Sequence, residues 1–321
     1  MILTKLLVSI ITPSFNQGMF IEDTILSVKD QTYKNIEHIV IDGGSTDNTL
    51  DILKKNTSSI LWISEPDQGQ TNAINKGIKL SRGEIIAYLN SDDLYLPDTI
   101  RIVTDFFIAH PEIDMIYGNI EHIDKEGRFI QSVRPGKIIL ENYLTGEVYL
   151  PQPSVFFRKR IVKKIGYFDE SLHLAMDMDY WTTIMLNFPS EYLQVTLAKA
   201  RIYPEAKSSS QHIKYIEEKK YILDKVFSNE SLLISRFGSI ERVREVKKKA
   251  YSFVYFFGGM EYLRDRQIIP AFEYLINGIK LFPMHLLDSY LYWSIFVAIV
   301  GKTIANKVKI VLPNKIRIRK W

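Results

Sequence analysis

The chain contains no cysteine among its 321 residues. Disulfide bonds, thiolate metal sites and a cysteine nucleophile are therefore excluded, and the composition agrees with a reducing, cytoplasmic environment. The six histidines are scattered and show no spacing typical of metal ligands. A long apolar run is missing too, because the clean run at 291–300 has about half of the roughly 20 residues that a membrane-spanning helix needs.

A strong charge of either sign is also absent, since the net charge is only +4. A nucleic-acid-binding protein usually has a stronger basic bias and a recognisable motif, so we expect no nucleic-acid partner. The hydrophobic fraction of 46% and the charged fraction of 24% are ordinary for a soluble globular protein. The length allows one large core with an appendage, or two domains.

The first half of the chain alternates between strand-like and helix-like segments. Near the N-terminus "LLVSIIT" is a continuous apolar run without a small-residue cleavage site, which indicates a strand buried on both faces rather than a signal peptide. Strands are also predicted in "IEHIVI", "ILWIS" and "EIIAYL", and helices in "MFIEDTILSVKDQ", "NTLDILKK", "GQTNAINKGIKLS" and "PDTIRIVTDFFIAH", the last with Pro97 in its first turn. This alternation predicts an α/β fold whose parallel sheet is covered by helices on both faces.

Polar clusters follow each of the four predicted strands, at 13–17, 42–47, 65–70 and 90–93. In parallel α/β sheets, ligands bind outside the carboxyl ends of the strands. The four clusters are therefore predicted to share one edge of the sheet and to form a ligand site there.

The last cluster, Asn90-Ser91-Asp92-Asp93, ends its strand with two adjacent carboxylates. Like charges repel and raise each other's pKa, so a positive partner is expected, and a divalent cation is the obvious candidate. The alternative is that these acids only cap the next helix or shape a turn, as Ser and Asp commonly do. The motif alone leaves both interpretations open.

From about 114 to 200 the pattern is mixed, and from about 210 onward it is helical. "DMIYGN" and "RFIQSV" are predicted to be strands joined by a turn at Glu126-Gly127, and "PSVFFRK" is predicted to be a further strand. "AMDMDYWTTIMLNF" predicts a helix with Asp177 and Asp179 at its start, where acids are favourable whatever the function. The stretch at 250–283 predicts one helical hairpin, ended by Pro283.

Five segments together resemble family-2 glycosyltransferases. "VSIITPSFNQ", "VIDGGSTDNT", "SEPDQGQTNAINKG", "GEIIAYLNSDD" and "GYFDESLHLAMDMDYW" occur in the order and spacing of that family, over roughly residues 6–205. The resemblance implies the GT-A fold, which is an α/β, Rossmann-like, mostly parallel sheet flanked by helices, here with a C-terminal helical extension. It also implies inverting transfer of a sugar from a nucleotide diphosphate, usually UDP, assisted by a divalent metal, Mn²⁺ or Mg²⁺.

The same resemblance implies a GT-A catalytic domain at 1–208 and a helical C-terminal region at 209–321. Within the domain, a nucleotide-sugar-binding half is expected at about 1–113 and an acceptor half at about 114–208. The acceptor is expected to be a hydroxyl of a glycan or of a lipid-linked molecule, in bacterial-type surface polysaccharide synthesis.

Residue roles carry over where this sequence matches the motifs of the family. Asp92 stands at the metal-binding acid of the Asp-x-Asp motif, and Asp177 stands at the catalytic base that takes the proton of the acceptor hydroxyl. Gln152 and Asp179 are assigned to the acceptor side. The donor-binding residues that the resemblance implies are Thr12, Pro13, Asn16, Asp42, Gly44, Asp67, Asn72, Asn90, Asp92 and Asp93.

Three departures from the family pattern support a rival interpretation. Asn90 replaces the first acid of Asp-x-Asp, although its amide oxygen can still accept a bond from a ribose hydroxyl or a water. Gly43 replaces a second acid after the second strand, and Met176 replaces the acid that usually precedes the base. These changes suit a nucleotide-sugar-binding or scaffolding protein with a degenerate active site.

Two other enzyme classes fit the sequence less well. A nucleotidyltransferase would need a glycine-rich phosphate loop with a basic residue after the first strand, and "TPSFNQG" lacks Lys and Arg. A glycosidase would also use two carboxylates, but it would not need a nucleotide-binding edge. Ile74 stands where many relatives have an arginine, with Lys76 as a nearby cation, and Trp181 is interpreted as a core residue rather than a platform for the sugar.

The C-terminal region combines an apolar segment with a basic tail. No Asp or Glu follows Asp288, and "HLLDSYLYWSIFVAIVG" is rich in apolar and aromatic residues. Cations near a membrane surface attract anionic lipid at about 1 kcal/mol each, and apolar side chains can enter the headgroup boundary. We therefore expect peripheral contact with the inner face of the cell membrane through 286–321, with packing on the catalytic domain as the alternative.

Overall fold

The computed structural model describes residues 5–205 and 211–283. Contacts between residues divide the chain into two compact units. The first contains the described residues as far as Leu140 and again from Val148 to 205, and the second contains Glu141–Glu147 and the described residues from 211 onward. A short segment of the predicted acceptor half, Glu141–Glu147, therefore belongs with the helices that follow.

Within its described residues, the first unit is built on one nine-stranded sheet. The strands are β1 (Val8–Ser14), β2 (Ile36–Asp42), β3 (Leu61–Ser64), β4 (Ile85–Tyr88), β5 (Leu94–Tyr95), β6 (Met115–Ile123), β7 (Phe129–Val133), β8 (Phe156–Arg158) and β9 (Ser190–Arg201). Their order is β3-β2-β1-β4-β8-β6-β9-β5, with β7 paired to β6. Strands β1 to β4 are parallel, as predicted, and the antiparallel pairings begin where β8 joins β4.

Helices cover this sheet and enclose its core. They are α1 (Ile21–Lys29), α2 (Thr49–Lys55), α3 (Gln70–Leu80), α4 (Thr99–Ala109), α6 (Val162–Ile165) and α7 (Met176–Asn187), while α5 (Leu140–Thr145) lies largely in the second unit. All seven residues of β1 are buried, because a central parallel strand is covered on both faces. Helix α3 lies so close to β1 that a Cβ on Gly77 would be 2.4 Å from a methyl group of Ile11, which explains a glycine inside this helix.

The structure departs from the predicted elements in several places. Strands β5 and β9 and helix α5 were not predicted, and β9 is twelve residues long. Pro97 was predicted in the first turn of α4, and this is wrong, because the helix begins at Thr99. Its first intrahelical bond runs from the Ile102 N–H to the Asp98 carbonyl at 3.0 Å, so Asp98 is the N-cap and Pro97 precedes the helix.

The second unit is helical over its described residues, as predicted. Its main helices are α8 (His212–Phe227), α9 (Glu230–Phe237), α10 (Ile240–Arg264) and α11 (Ile268–Leu281). The predicted hairpin is formed by α10 and α11, which approach so closely that a Cβ on Gly278 would be 2.8 Å from the backbone nitrogen of Phe256. No helix in this described part of the chain, or in the first unit, is long and apolar enough to cross a membrane. The predicted membrane segment, 286–321, lies outside the described residues.

Candidate active site

The polar loops that follow β1 to β4 meet at one edge of the sheet, as the sequence predicts. The Asn16 N–H donates to Ser45 Oγ at 2.7 Å, and Asn16 Oδ1 accepts from the Thr46 N–H at 2.8 Å, which joins the loops after β1 and β2. The loops after β3 and β4 are joined by Gln70 Nε2, which donates to Asn90 Oδ1 at 2.8 Å. This edge therefore carries the predicted donor residues of four separate segments.

Asp42 is fully buried and organises the loop after β2. Its Oδ2 accepts from the N–H of Gly44 at 3.1 Å, the N–H of Ser45 at 2.9 Å and the hydroxyl of Ser64 at 2.6 Å. Gly44 has a φ of 83°, in the left-handed region that glycine adopts without strain. Asp42 thus fixes the conformation of the loop after β2. A contact with the nucleotide-sugar donor would come in addition to these three hydrogen bonds.

Asp67 lies against Gly43, the position for which the family resemblance implies a second acid. A Cβ on Gly43 would be 3.0–3.1 Å from the carboxyl atoms of Asp67. Asp67 Oδ1 accepts from the N–H of Gly69 at 2.8 Å, which fixes the carboxylate at the entrance of α3. The carboxylate missing at Gly43 is therefore replaced in space by one from the neighbouring loop.

Thr12 and Pro13 lie near the end of β1 and are both buried. Thr12 Oγ1 lies 2.9 Å from Nε2 of His38 on the neighbouring strand. Burial lowers the pKa of His38 to about 3, because the imidazolium would lose its hydration. At neutral pH an uncharged imidazole therefore holds the Thr12 hydroxyl.

The side chain of Asn90 is the centre of a hydrogen-bond network. Its Oδ1 accepts from Gln70, and its Nδ2 donates to Asp93 Oδ2 at 3.3 Å and to Gln152 Oε1 at 3.2 Å. Gln152 is fixed in turn by its Nε2, which donates to the Tyr88 carbonyl at 2.7 Å. The amide that replaces the first acid of Asp-x-Asp thus connects the predicted donor and acceptor sides.

The two acids after β4 have different environments. Asp93 is buried, and its Oδ1 accepts from the Arg201 N–H at 2.9 Å, so both of its oxygens are engaged. Asp92 is half-buried, and its Oδ2 accepts from the hydroxyl of Tyr203 at 2.9 Å. Burial raises the pKa of both carboxyls, and the charge of Asp92 raises the pKa of Asp93 further. A cation at this edge would offset that unfavourable burial of negative charge.

Arg201 and Tyr203 were missed by the sequence reasoning, since β9 was not predicted. The antiparallel β5–β9 pairing sets Leu94 opposite Lys199. Two residues further along β9 and two residues back from Leu94, the same register sets Arg201 opposite Asp92. Arg201 Nε donates to the Asp92 carbonyl at 3.0 Å, and its side chain is only 2% exposed. The signal available in the sequence was the short alternation of Leu193, Val195 and Leu197, which precedes Arg201 and Tyr203.

The oxygen ligands available at this edge determine how a divalent cation would fit. No cluster of three or more His, Asp or Glu able to hold a metal occurs among the described residues. Asp92 has one oxygen engaged with Tyr203, and its other oxygen accepts no bond from another described residue. Hard cations such as Mg²⁺ are commonly held by one or two carboxylates together with substrate phosphates. The residues therefore fit a cation bound jointly with a diphosphate, with Asp92 as its protein ligand.

Asp177 is the second residue of α7 and is half-buried. Its Oδ1 accepts from the Met178 N–H at 2.7 Å, and the helix N-terminus favours a negative charge there. Asp179 is buried further along the helix, and Met176, at the position of the missing acid, is 4% exposed. Of these three side chains, that of Asp177 is the most accessible.

Contacts with α3 hold the segment that precedes α7. Thr71 Oγ1 donates to the Leu172 carbonyl at 2.7 Å. Asn75 is buried and bonds Phe168 reciprocally, donating to its carbonyl at 2.9 Å and accepting from its N–H at 3.0 Å. Since α3 begins at the donor edge, these contacts hold the segment that leads into α7 beside that helix, and a Cβ on Gly69 would be 3.8 Å from Nδ1 of His173.

Other residues of α3 are engaged in ways the sequence did not indicate. Asn72 Nδ2 donates to Glu170 Oε2 at 2.9 Å, so this predicted donor residue also holds the segment before α7. Ile74, at the position of the family arginine, is fully buried. Lys76, which the sequence analysis named as a cation near this position, pairs with Glu65 at 2.7 Å.

An aromatic cluster lies beneath α7. Tyr88, at the end of β4, stacks on Trp181 with 6.3 Å between ring centroids and meets the edge of Phe168 at 5.8 Å. Phe168 stacks in turn on Tyr180 at 3.9 Å. Trp181 is 1% exposed, which confirms the interpretation as a core residue. The cluster ties the strand that delivers Asp92 to the helix that delivers Asp177.

Comparison with known proteins agrees with this geometry. Residues 9–166 match the family model described as glycosyl transferase family 2. An uncharacterized glycosyltransferase of Rickettsia typhi is 31% identical over 224 residues, which cover 66% of this chain and 69% of the relative. Another, of Rickettsia conorii, is 32% identical over 222 residues, which cover 64% of this chain but 36% of the relative. The chain thus spans little more than a third of the second relative's length.

Solved structures show the same fold at low sequence identity. S. aureus TarS in complex with UDP-GlcNAc superposes with a TM-score of 0.66 and 18% identity, covering 87% of this chain and 81% of that one. A mannosyltransferase from Pyrobaculum calidifontis, in complex with GDP-Man and Mn²⁺, gives a TM-score of 0.57 and 15% identity, covering 96% and 88%. The fold is that of GT-A transferases, and the chain belongs to glycosyl transferase family 2.

Proposed function

We propose that the chain transfers a sugar from a nucleotide diphosphate donor, with UDP as the nucleotide, to a hydroxyl of a glycan or lipid-linked acceptor. The observation that carries the proposal is the docking of the segment before α7 on α3, through Thr71 and Asn75. It supports a site in which Asp92 and Asp177 serve the same reaction. The UDP-GlcNAc bound to S. aureus TarS supports the choice of donor class.

In the proposed reaction, Asp177 accepts the proton of the acceptor hydroxyl as its oxygen attacks the anomeric carbon. Attack on the face opposite the leaving diphosphate inverts the configuration at that carbon. Asp92 would hold a divalent cation, Mn²⁺ or Mg²⁺, which when bound offsets the charge that develops on the leaving diphosphate. Gln152 and Asp179 are proposed on the acceptor side of the site.

The donor is proposed to lie along the edge formed by the first four strands. Thr12, Pro13 and Asp67 are placed near the nucleobase in this proposal, where the neutral His38 supports the Thr12 hydroxyl. The remaining donor residues, which stay as the family resemblance implies them, are Asn16, Asp42, Gly44, Asn72, Asn90 and Asp93.

The second candidate function is a nucleotide-sugar-binding protein without turnover. It is favoured by the network around Asn90, whose amide atoms are all engaged with protein partners. It is also favoured by Met176, which puts a core side chain where relatives have an acid. A chain of this kind would bind UDP but would not release it from any nucleotide sugar.

Calorimetry with UDP, with and without Mn²⁺, tests the donor site, and Asp92→Ala tests the role of the carboxylate. We expect Mn²⁺ to tighten UDP binding by the parent and to have no such effect on Asp92→Ala. Asp51→Ala is a matched control, since Asp51 is an exposed carboxylate paired with Lys54 on α2. If the parent and Asp92→Ala bind UDP with equal affinity in the presence of Mn²⁺, Asp92 is not a metal ligand. A panel of nucleotide sugars, followed by release of the nucleoside diphosphate, then separates enzyme from binder.

We also propose that the protein acts in the cytoplasm, at the inner face of the membrane, and that 286–321 contacts the lipid surface. The basic residues and the apolar run of this segment support the proposal. Such contact would bring the site to a membrane-borne acceptor of surface polysaccharide synthesis. Flotation on anionic liposomes, with the full chain and with 286–321 removed, tests it. Retention of the full chain in the soluble fraction at low salt would refute it.

A further inference from the structure

Tyr203 contacts the proposed metal ligand from beyond the part of the chain that the family model matches. The match ends at residue 166, whereas Tyr203 follows the end of β9. Its hydroxyl donates to Asp92 Oδ2 at 2.9 Å across 111 residues of sequence. Tyr203 is therefore the side chain that donates a hydrogen bond to the Asp92 carboxylate within the described part of the chain.

The backbone around Tyr203 and Asp92 is held by Arg201. The Arg201 N–H donates to Asp93 Oδ1 at 2.9 Å, and its Nε donates to the Asp92 carbonyl at 3.0 Å. The guanidinium is also anchored by the Lys125 carbonyl at 2.8 Å and lies over the Phe20 ring at 4.7 Å. Arg201 therefore bonds the backbone of Asp92 directly and precedes Tyr203 by two residues, so a buried, multiply bonded arginine adjoins both partners of the Tyr203–Asp92 bond.

The ring of Tyr203 is fixed independently of its hydroxyl. It lies against Phe20 with 5.2 Å between ring centroids. Phe20 is 6% exposed and precedes α1, so it belongs to the loop that follows β1. Removing the hydroxyl alone would leave this packing in place, so Tyr203→Phe removes the bond to Asp92 and the hydroxyl's contact with Gln17 but keeps the ring.

We propose that Tyr203 is a positioning residue, which holds one oxygen of Asp92 and directs the other to the divalent cation of a cation–diphosphate complex. The inference rests on the proposed function. A carboxylate free to rotate loses side-chain entropy when it binds a metal, and a hydrogen bond made beforehand reduces that loss. Partners that orient metal ligands in this way typically contribute about 10–100-fold to metal affinity or activity.

The test is calorimetry of UDP binding at increasing Mn²⁺, with Tyr203→Phe, Asp92→Ala and the parent. We expect Tyr203→Phe to raise the Mn²⁺ concentration for half-maximal enhancement about 10-fold, and to leave metal-free UDP affinity unchanged. Tyr33→Phe is the matched control, because its hydroxyl bonds the Leu6 carbonyl at 2.6 Å and supports structure only. A role in folding alone would affect Tyr33→Phe and Tyr203→Phe alike and would not change the Mn²⁺ dependence.

The outcomes separate this inference from the function on which it rests. If Asp92→Ala abolishes the Mn²⁺ effect while Tyr203→Phe equals the parent, the role of Tyr203 is refuted and the metal role of Asp92 stands. Tighter Mn²⁺ binding by Tyr203→Phe would also refute it, since the hydroxyl would then compete with the cation. If Asp92→Ala retains the full Mn²⁺ effect, the metal role of Asp92 fails, and that of Tyr203 fails with it.

Discussion

Asn90 donates a hydrogen bond to Gln152 at 3.2 Å, although 62 residues separate them in the sequence. The family resemblance assigns Asn90 to the donor side of the site and Gln152 to the acceptor side. In the structure the two side chains are bonded directly to each other. Gln152 cannot turn its amide group round without leaving the Tyr88 carbonyl, to which its Nε2 donates. The replacement of the family acid by Asn90 is therefore matched to its surroundings.

Restoring the family acid should harm this protein. In Asn90→Asp, a carboxylate would face Gln152 Oε1 and the buried Asp93 without a donor between them. An unsatisfied buried polar group costs about 1–3 kcal/mol, so we expect a lower free energy of unfolding and lower turnover, measured by denaturant unfolding and by nucleoside diphosphate release. Asn187→Asp, the same change at an exposed site, should have little effect. Higher turnover of Asn90→Asp would contradict the network argument.

Gly43 and Asp67 should behave as a coupled pair. Gly43→Asp restores a family acid but places it against the carboxylate of Asp67, 3.0–3.1 Å from the Cβ position. We expect Gly43→Asp to weaken UDP binding and Asp67→Asn to relieve part of that loss, with a coupling of about 1 kcal/mol or more. Calorimetry on the double-mutant cycle measures it. Gly43→Ala supplies the shape without the charge, and additive effects of the two changes would show that the carboxylates do not interact.

His38 should make the protein less stable below neutral pH. Its pKa is about 3 when folded and 6.5 in the reference state, so between these values the unfolded chain binds a proton that the folded chain excludes. The free energy of unfolding should therefore fall as the pH drops, by roughly 2 kcal/mol from pH 7 to pH 5. Urea unfolding at both pH values checks this. His38→Gln should lose that part of the slope, whereas His110→Gln, at an exposed imidazole, should keep it.

Asn75→Ala should separate donor binding from turnover. It removes the two reciprocal bonds to Phe168 and so loosens the segment that positions Asp177. We expect a lower kcat with unchanged UDP affinity, because Asn75 is buried and bonds the segment that leads into α7. Turnover assays beside calorimetry test this. The control is Asn56→Ala, which removes a side-chain bond to the Ile52 carbonyl just after the end of α2. A loss of UDP affinity equal to the loss of kcat would mean that α3 itself had been distorted.

Local patterns predicted the first four strands and the edge at which their loops meet. They succeeded because β1 and its neighbours are buried on both faces, so that burial alone explains their composition. Strand β9 was missed because eight of its twelve residues are only partly buried in a mixed sheet, so its apolar alternation is confined to Leu193, Val195 and Leu197. Arg201 and Tyr203 were lost with it, since their proximity to Asp92 depends on the β5–β9 register.

The network around Asn90 could not be predicted for a related reason. Its partners Gln70, Asp93 and Gln152 come from different elements, and amide side chains carry no periodic signal. The resemblance to a family identified the position of Asn90 but implied a ligand contact there. Only the three-dimensional arrangement shows that protein groups already occupy its hydrogen-bonding atoms.

The central claim is that this chain transfers a sugar with Asp177 as the base, and turnover by Asp177→Asn tests it most directly. The measurement is the Mn²⁺-dependent release of UDP from a UDP-sugar that the parent accepts, with UDP affinity determined in parallel. The account predicts unchanged UDP affinity and a loss of turnover of roughly two to four orders of magnitude, the usual contribution of a positioned base. Turnover close to that of the parent would contradict it and would leave Asp177 as an acid at a helix N-terminus.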